Sequence, residues 1–524
     1  MAETPGGPIH TWSALDLRRM LDAGELRSVE LVQALHARTD TVDPVVRGYA
    51  WQLRDEALEA ARACDASDET ARSVVHGVPL SVKENIATQG TPVTLGLKAR
   101  LDSVASDDAV VVDILRESGA VIMGKSNVPL LMLSVETHND IWGTTHNPWD
   151  LSRVPGGSSG GEAALIASGQ VPWGLGTDIG GSIRVPCAWC GIAGLKPTVG
   201  RWSAKGQHGA IRGQEIVRAT MGPMARTSRD VAALWQAVDP IAQHERDPLV
   251  PPIPLSAPGA VDLRGLRVGV YVDDGVFQPA ASVVRAVHQA AHHLAAAGAE
   301  VVPFSPPDGW PLAERYFGAL SADGGAAVLA HLRDQPPTPQ LTTVLLLARL
   351  PAAVRRSAML AMRLAGQARA ARIGRAFGRK GAADLFAFAA ARDDARRAEL
   401  AAWDRAGIDL LVGPPCVTPA AHHGRTHDWT LGGWHTMRWN LLDLPAGVVP
   451  VSSVRADETI RSHLQDALDT RAAEFEAHSE GLPLAAQIIA RPFREDIVLA
   501  AMIAVEDAAR DAGDFPITPV DPRS

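Results

Sequence analysis

Two kinds of hydrophobic spacing alternate along this chain. Near the N-terminus apolar positions recur at helical intervals. Ser13 followed by Asp16 marks a helix start, and Gly24 marks its stop. A second helix is predicted after Ser28, and an Ala/Arg/Glu-rich helix from about Trp51 to Ala66. Short apolar runs then interleave with helices. Val78–Val82 reads as a strand, Asp107–Glu117 as a helix and Ala120–Met123 as a strand. Leu266–Val272, Val283–Ala297 and Glu300–Phe304 predict a β–α–β unit, with Gly298 ending the helix. Ile408–Val412 and Leu484–Ile489 predict further buried strands. This alternation predicts an α/β fold in three layers, a large mixed twisted sheet covered by helices on both faces. The proline-rich stretch from Pro240 to Ala260 reads as a surface connection.

Composition narrows the class. A chain of 524 residues with 46% hydrophobic content buries a large core, and no internal repeat divides it. Its net charge of −9 argues against a nucleic-acid partner. Cys64, Cys187, Cys190 and Cys416 are too few for a disulfide framework and fit a reducing compartment. Cys187-Ala188-Trp189-Cys190 has redox or zinc spacing but lacks a second ligand pair, so it reads as buried thiols. Met1 to His10 lacks the pattern of a signal peptide, and no apolar run reaches the roughly 18 residues a membrane span needs. A cytoplasmic protein is expected.

Three motifs carry chemistry. Gly176-Thr177-Asp178-Ile179-Gly180-Gly181-Ser182-Ile183-Arg184 puts a serine after two glycines, where the backbone can turn sharply and neighbouring N–H groups can converge. Convergent donors beside a hydroxyl suit acyl transfer, which needs a nucleophile and a site for the oxyanion. Gly156-Gly157-Ser158-Ser159-Gly160-Gly161 lies just upstream. Gly77-Val78-Pro79-Leu80-Ser81-Val82-Lys83-Glu84-Asn85 ends an apolar run on a lysine. Burial would depress its pKa, because desolvation disfavours the ammonium form. Neither glycine loop is followed by the Lys-Ser/Thr of a phosphate-binding loop.

Together these motifs resemble the amidase signature family of serine hydrolases, and the resemblance spans about residues 10 to 515. It implies one amidase domain over 1–524. It also implies a Ser–Ser–Lys triad, with Ser182 as nucleophile, Ser158 as the bridging serine and Lys83 as base. The N–H groups of Ile179, Gly180, Gly181 and Ser182 are then the oxyanion hole. Ser159, Asp178 and Arg184 are supports, and Gly157–Ser158 is expected to be a cis peptide bond. The implied reaction is hydrolysis of a small-molecule amide through an acyl-enzyme, with no cofactor and no metal.

Further segments resemble the branch of the family that hydrolyses fatty acid amides. They are Asn440-Leu441-Leu442-Asp443-Leu444-Pro445-Ala446-Gly447-Val448-Val449-Pro450-Val451, Asn127-Val128-Pro129, Asn147-Pro148-Trp149, Asp323-Gly324-Gly325 and Gly481-Leu482-Pro483. Met132, Leu133, Ser321 and Phe493 stand where that branch lines its acyl channel. An aryl acylamidase or carbamate hydrolase is the alternative substrate reading. An amidase subunit of a tRNA-dependent amidotransferase and an inactive lipid-surface protein are further rivals. Gln335 to Ala383 holds nine Arg or Lys and no Asp or Glu. Leu341, Val344, Leu345 and Ala348 recur there at helical spacing, so a basic amphipathic cap is expected at about 337–390. Peripheral membrane contact through 341–380 is one reading of it, and a solvated helix pair or homodimer contact is the other.

Overall fold

The computed structural model describes residues 7–67, 72–427, 429 and 431–522. Its spine is an 11-stranded mixed sheet. Across the sheet the strands run Tyr49–Gln52, Val121–Ser126, Pro79–Lys83, Trp173–Asp178, Thr220–Ala225, Ala193–Lys196, Ala446–Ser453, Pro483–Ala490, Leu410–Gly413, Arg267–Val270 and Glu300–Pro303. Val121–Ser126, Pro79–Lys83 and Trp173–Asp178 are parallel, as are Leu410–Gly413, Arg267–Val270 and Glu300–Pro303. Antiparallel strands join these two groups through the centre. Helices cover the sheet, and one apolar cluster extends from Ala14 to Val505.

The predicted β–α–β unit is present as Arg267–Val270, Ala281–Ala296 and Glu300–Pro303. Ser13 caps the first helix, Ala14–Asp22, in a reciprocal pair with Asp16. Several boundaries differ from expectation, and the helix expected over Asp107–Glu117 starts at Val110. Trp51 belongs to the edge strand Tyr49–Gln52, and the helix starts at Arg54. The Pro240 to Ala260 stretch opens with a helix, Pro240–Arg246, because the Asp239 carboxylate accepts the Ile241 and Ala242 N–H groups and proline suits a first turn.

Trp173–Asp178 shows no strand signal because glycines interrupt it. A β-carbon at Gly174 would collide with the Glu162 carboxylate. This is the close approach that glycine permits. The helix responsible, Gly160–Ala167, is buried all round, Glu162 included. It runs beneath the glycine-rich loops.

The cap expected at about 337–390 is built of three short helices, Pro339–Arg349, Ala352–Leu364 and Ala368–Ala376. The long helix Ala382–Ala406 follows. The apolar stripe of the first turns inward, burying Leu341, Leu345 and Ala348.

Candidate active site

Lys83 is the last residue of a fully buried strand in the parallel half of the sheet. Its Nζ lies 2.7 Å from Ser158 Oγ, 2.8 Å from Thr177 Oγ1 and 3.3 Å from the Thr177 carbonyl. Burial drives its pKa from 10.5 down to about 7, against the pull of Asp178, Glu162 and Glu84. Ser158 follows the cis Gly157–Ser158 bond. Ser159 Oγ donates to the Thr177 carbonyl over 3.3 Å, and its N–H donates to the Ser182 carbonyl over 3.0 Å. The two serine loops are thereby stitched together above the Gly160–Ala167 helix.

Ser182 sits between the Trp173–Asp178 strand and the Arg184–Cys190 helix, half-buried. Its hydroxyl makes no hydrogen bond to a described residue, and it lines a cavity of about 210 Å³. Gly181 holds φ +109°, and a β-carbon there would strike the Thr436 hydroxyl. Among the described residues the N–H groups of Ile179, Gly180 and Ser182 have no partner. Gly181 departs from the expected set, since its N–H donates to Asp178 Oδ1 over 2.8 Å. Two of the loop's carbonyls are engaged. Tyr316 donates its hydroxyl to the Ile179 carbonyl at 3.1 Å, and Thr436 Oγ1 lies 3.0 Å from the Gly180 carbonyl.

Asp178 and Arg184 form a fully buried pair at 2.9 Å. All five Arg184 donors are engaged: two on Asp178, and one each on the Thr436 carbonyl, Gln487 Oε1 and Asn440 Oδ1. Burial works to raise the Asp178 pKa. The Arg184 charge and its hydrogen bonds, with Asn440, outweigh that and hold the carboxyl below its ordinary range. Glu162 goes the other way, because burial lifts it to about 7 despite hydrogen bonds from Ser81 and Ser126.

Met132 and Leu133 line the cavity, with Phe317, Leu320, Leu341 and Leu345. Ser321 is also there. Phe493 is not. It lies outside that cavity, 38% exposed, with its N–H on Thr198 Oγ1 at 2.9 Å and its ring 5.6 Å from the Arg201 guanidinium. Its expected role therefore falls away: the start of the Glu495–Asp511 helix packs on the Thr198 turn instead, Glu495 accepting the Thr198 N–H at 2.9 Å. The inward stripe of the cap supplies the wall that Phe493 was expected to supply. Cys187 and Cys190 are buried thiols whose pKa burial raises.

Thr177, Tyr316, Thr436, Asn440 and Gln487 escaped the sequence reading as site residues. Thr177 and Asn440 stand inside motifs already singled out. Nothing local marks the other three, which reach the loop only through tertiary folding.

A model of the amidase family matches residues 30–499, and the chain belongs to that family. It is an amide hydrolase on the amidase signature fold. It is 36% identical over 459 residues to fatty-acid amide hydrolase 1 of Sus scrofa, covering 85% of this chain and 77% of that one. It is 32% identical over 524 residues to fatty acid amide hydrolase 1 of Caenorhabditis elegans, covering 94% of this chain and 87% of the relative. A solved fatty acid amide hydrolase structure matches with a TM-score of 0.82 at 26% identity, over 95% of this chain and 85% of the other. Among the described residues, no helix is long and apolar enough to cross a membrane.

Proposed function

We propose that this chain hydrolyses amides of apolar carboxylic acids, fatty acyl amides foremost, through an acyl-enzyme on Ser182 with Ser158 and Lys83 as proton relay. The observation that carries the relay is the surroundings of Lys83. A neutral amine has two N–H donors and one lone pair. Thr177 offers its carbonyl and, with its own hydroxyl proton directed to Asn85 Oδ1 at 3.4 Å, its Oγ1 as acceptors, which leaves the Ser158 hydroxyl to donate back. The pKa of about 7 makes that neutral form abundant.

In the acylation step the Ser158 proton passes to Lys83 as the Ser182 proton passes to Ser158. Ser182 Oγ bonds to the carbonyl carbon, and the oxyanion takes hydrogen bonds from Ile179, Gly180 and Ser182 N–H. One such donor is worth about 3–4 kcal/mol in other hydrolases. The relay then runs backwards and protonates the amide nitrogen, the C–N bond breaks, and the amine leaves. Water attacks the acyl-enzyme by the same proton path and releases the acid.

The substrate class rests on the cavity lining, which is largely aliphatic and aromatic from Met132 to the cap. A glutamine-sized polar pocket, as an amidotransferase subunit needs, would be lined differently. The test pairs a fluorophosphonate probe with anilides of graded acyl length. Ser182→Ala should abolish labelling and turnover. Ser158→Ala should keep traces of labelling. Labelling at a different serine in Ser182→Ala refutes the nucleophile, and a kcat/KM indifferent to chain length refutes the acyl cavity.

A further inference from the structure

A groove of about 1010 Å³ lies on the cap and shares no lining residue with the cavity at Ser182. Its walls come from the helices Trp310–Leu320, Ala352–Leu364, Ala368–Ala376 and Ala382–Ala406. Six cationic side chains line it (Arg315, Arg356, Arg363, Arg372, Arg375 and Lys380) against one carboxylate, Glu314. That carboxylate is taken by Arg372, whose guanidinium also stacks 4.5 Å over Trp310. Lys380 spends its ammonium on the Ala376 and Phe377 carbonyls, at 2.8 and 3.2 Å. The guanidiniums of Arg315, Arg356, Arg363 and Arg375 have neither a hydrogen bond nor an ion pair with any described residue.

A protein of net charge −9 has carboxylates to spare, yet none stands between Gln335 and Ala383. Four unpaired guanidiniums around one groove repel one another, and each offers a planar fork that matches two phosphate oxygens. The same helices expose apolar surface. Leu360, 58% exposed, and the half-buried Phe388 line the groove beside these charges. Charge and apolar surface in one place suit a ligand that has both.

We infer that this groove binds a phosphate-bearing amphiphile, with its phosphate among Arg356, Arg363 and Arg375 and its apolar part against Leu360 and Phe388. The phosphate could be that of a free phosphorylated molecule or of a lipid headgroup, and the probes separate these sources. The inference is independent of the reaction at Ser182.

The full chain is titrated calorimetrically with dihexanoyl phosphatidate, with inorganic phosphate and with dihexanoyl phosphatidylcholine, all below micelle formation. Co-sedimentation with phosphatidylcholine vesicles containing phosphatidylglycerol runs alongside. Saturable binding of the phosphatidate is expected, weakened about tenfold or more in Arg363→Ser/Arg375→Ser. The pair Arg397→Ser/Arg405→Ser removes the same charge from exposed positions elsewhere and should bind as wild type. All forms should hydrolyse a small soluble anilide at the wild-type rate. Arg356→Ser alone serves as a second variant should the double one shift the thermal melt. Equal affinity for inorganic phosphate overturns the amphiphile half of the inference. Vesicle binding without binding of the soluble phosphatidate shows diffuse attraction to a lipid surface and overturns the site. Equal weakening in both arginine pairs overturns it too.

Discussion

Replacing Lys83 by methionine should stabilise the protein while abolishing turnover. The buried amine has a pKa of about 7 against an ordinary 10.5. At about 1.4 kcal/mol per pKa unit, folding around it costs about 4 kcal/mol near neutral pH. Methionine removes that cost but leaves Ser158 and Thr177 short of a partner, at about 1 kcal/mol each. A net gain of about 2 kcal/mol remains. For a chain of 524 residues, with about 2.1 cal/mol/K of unfolding entropy per residue, this raises Tm by about 2 °C. The pH dependence is more telling than the shift itself. Between about 7 and 10.5 the unfolded lysine holds a proton that the folded one has lost, so wild-type stability climbs with pH across that window. The variant lacks this slope, and its advantage should shrink as pH rises. Lys125 and Lys196, both pulled to about 8 by burial, titrate in both proteins and cancel. Glu162 adjoins Lys83 and titrates near 7, so the comparison is read from about pH 8.5 upward. Denaturant unfolding at several pH values measures it. Parallel stability curves for the two proteins would refute a depressed Lys83.

Three further outcomes are expected. Wild-type kcat/KM should rise through about pH 7 as Lys83 loses its proton, and Lys83→Ala should lose that limb with most of its rate. Asn440→Ala strips a buried hydrogen bond from both Arg184 and Asp178, so urea unfolding should report a loss of about 2 kcal/mol. Ala348→Phe should raise KM for a long-chain anilide about tenfold by filling the cavity wall, whereas Phe493→Ala should leave it unchanged.

Much of the site was legible because its chemistry is local. Lys83, Ser158 and Ser182 each end or follow a short motif whose glycines have a steric reason to be there. The β–α–β unit was legible for a similar reason: its apolar periods are intact. Trp173–Asp178 was not, since Gly174, forced by the Glu162 side chain, and Gly176, forced by Met224 and Ile183, erase the alternation that announces a strand. The apolar stripe from Leu341 to Ala348 was seen, but its direction was not. Periodicity reports that one helix face is buried and never says against what. Phe493 failed because a position in a sequence was read as a position in space. Gly181 differed because the carboxylate that claims its N–H belongs to the same loop, a choice of partner that spacing cannot reveal.

The supports of the loop around Ser182 also set when during synthesis it is fully braced. A nascent chain that has emerged through the Glu300–Pro303 strand already carries Lys83, Ser158 and Ser182. It lacks Tyr316, Thr436, Asn440 and Gln487, which hold the loop's carbonyls and saturate Arg184. Until the last strands of the sheet are synthesised and docked, Arg184 has only Asp178 and the Ile179 and Gly180 carbonyls lack these partners. The loop's full set of supports is therefore in place only once the C-terminal half of the chain has docked.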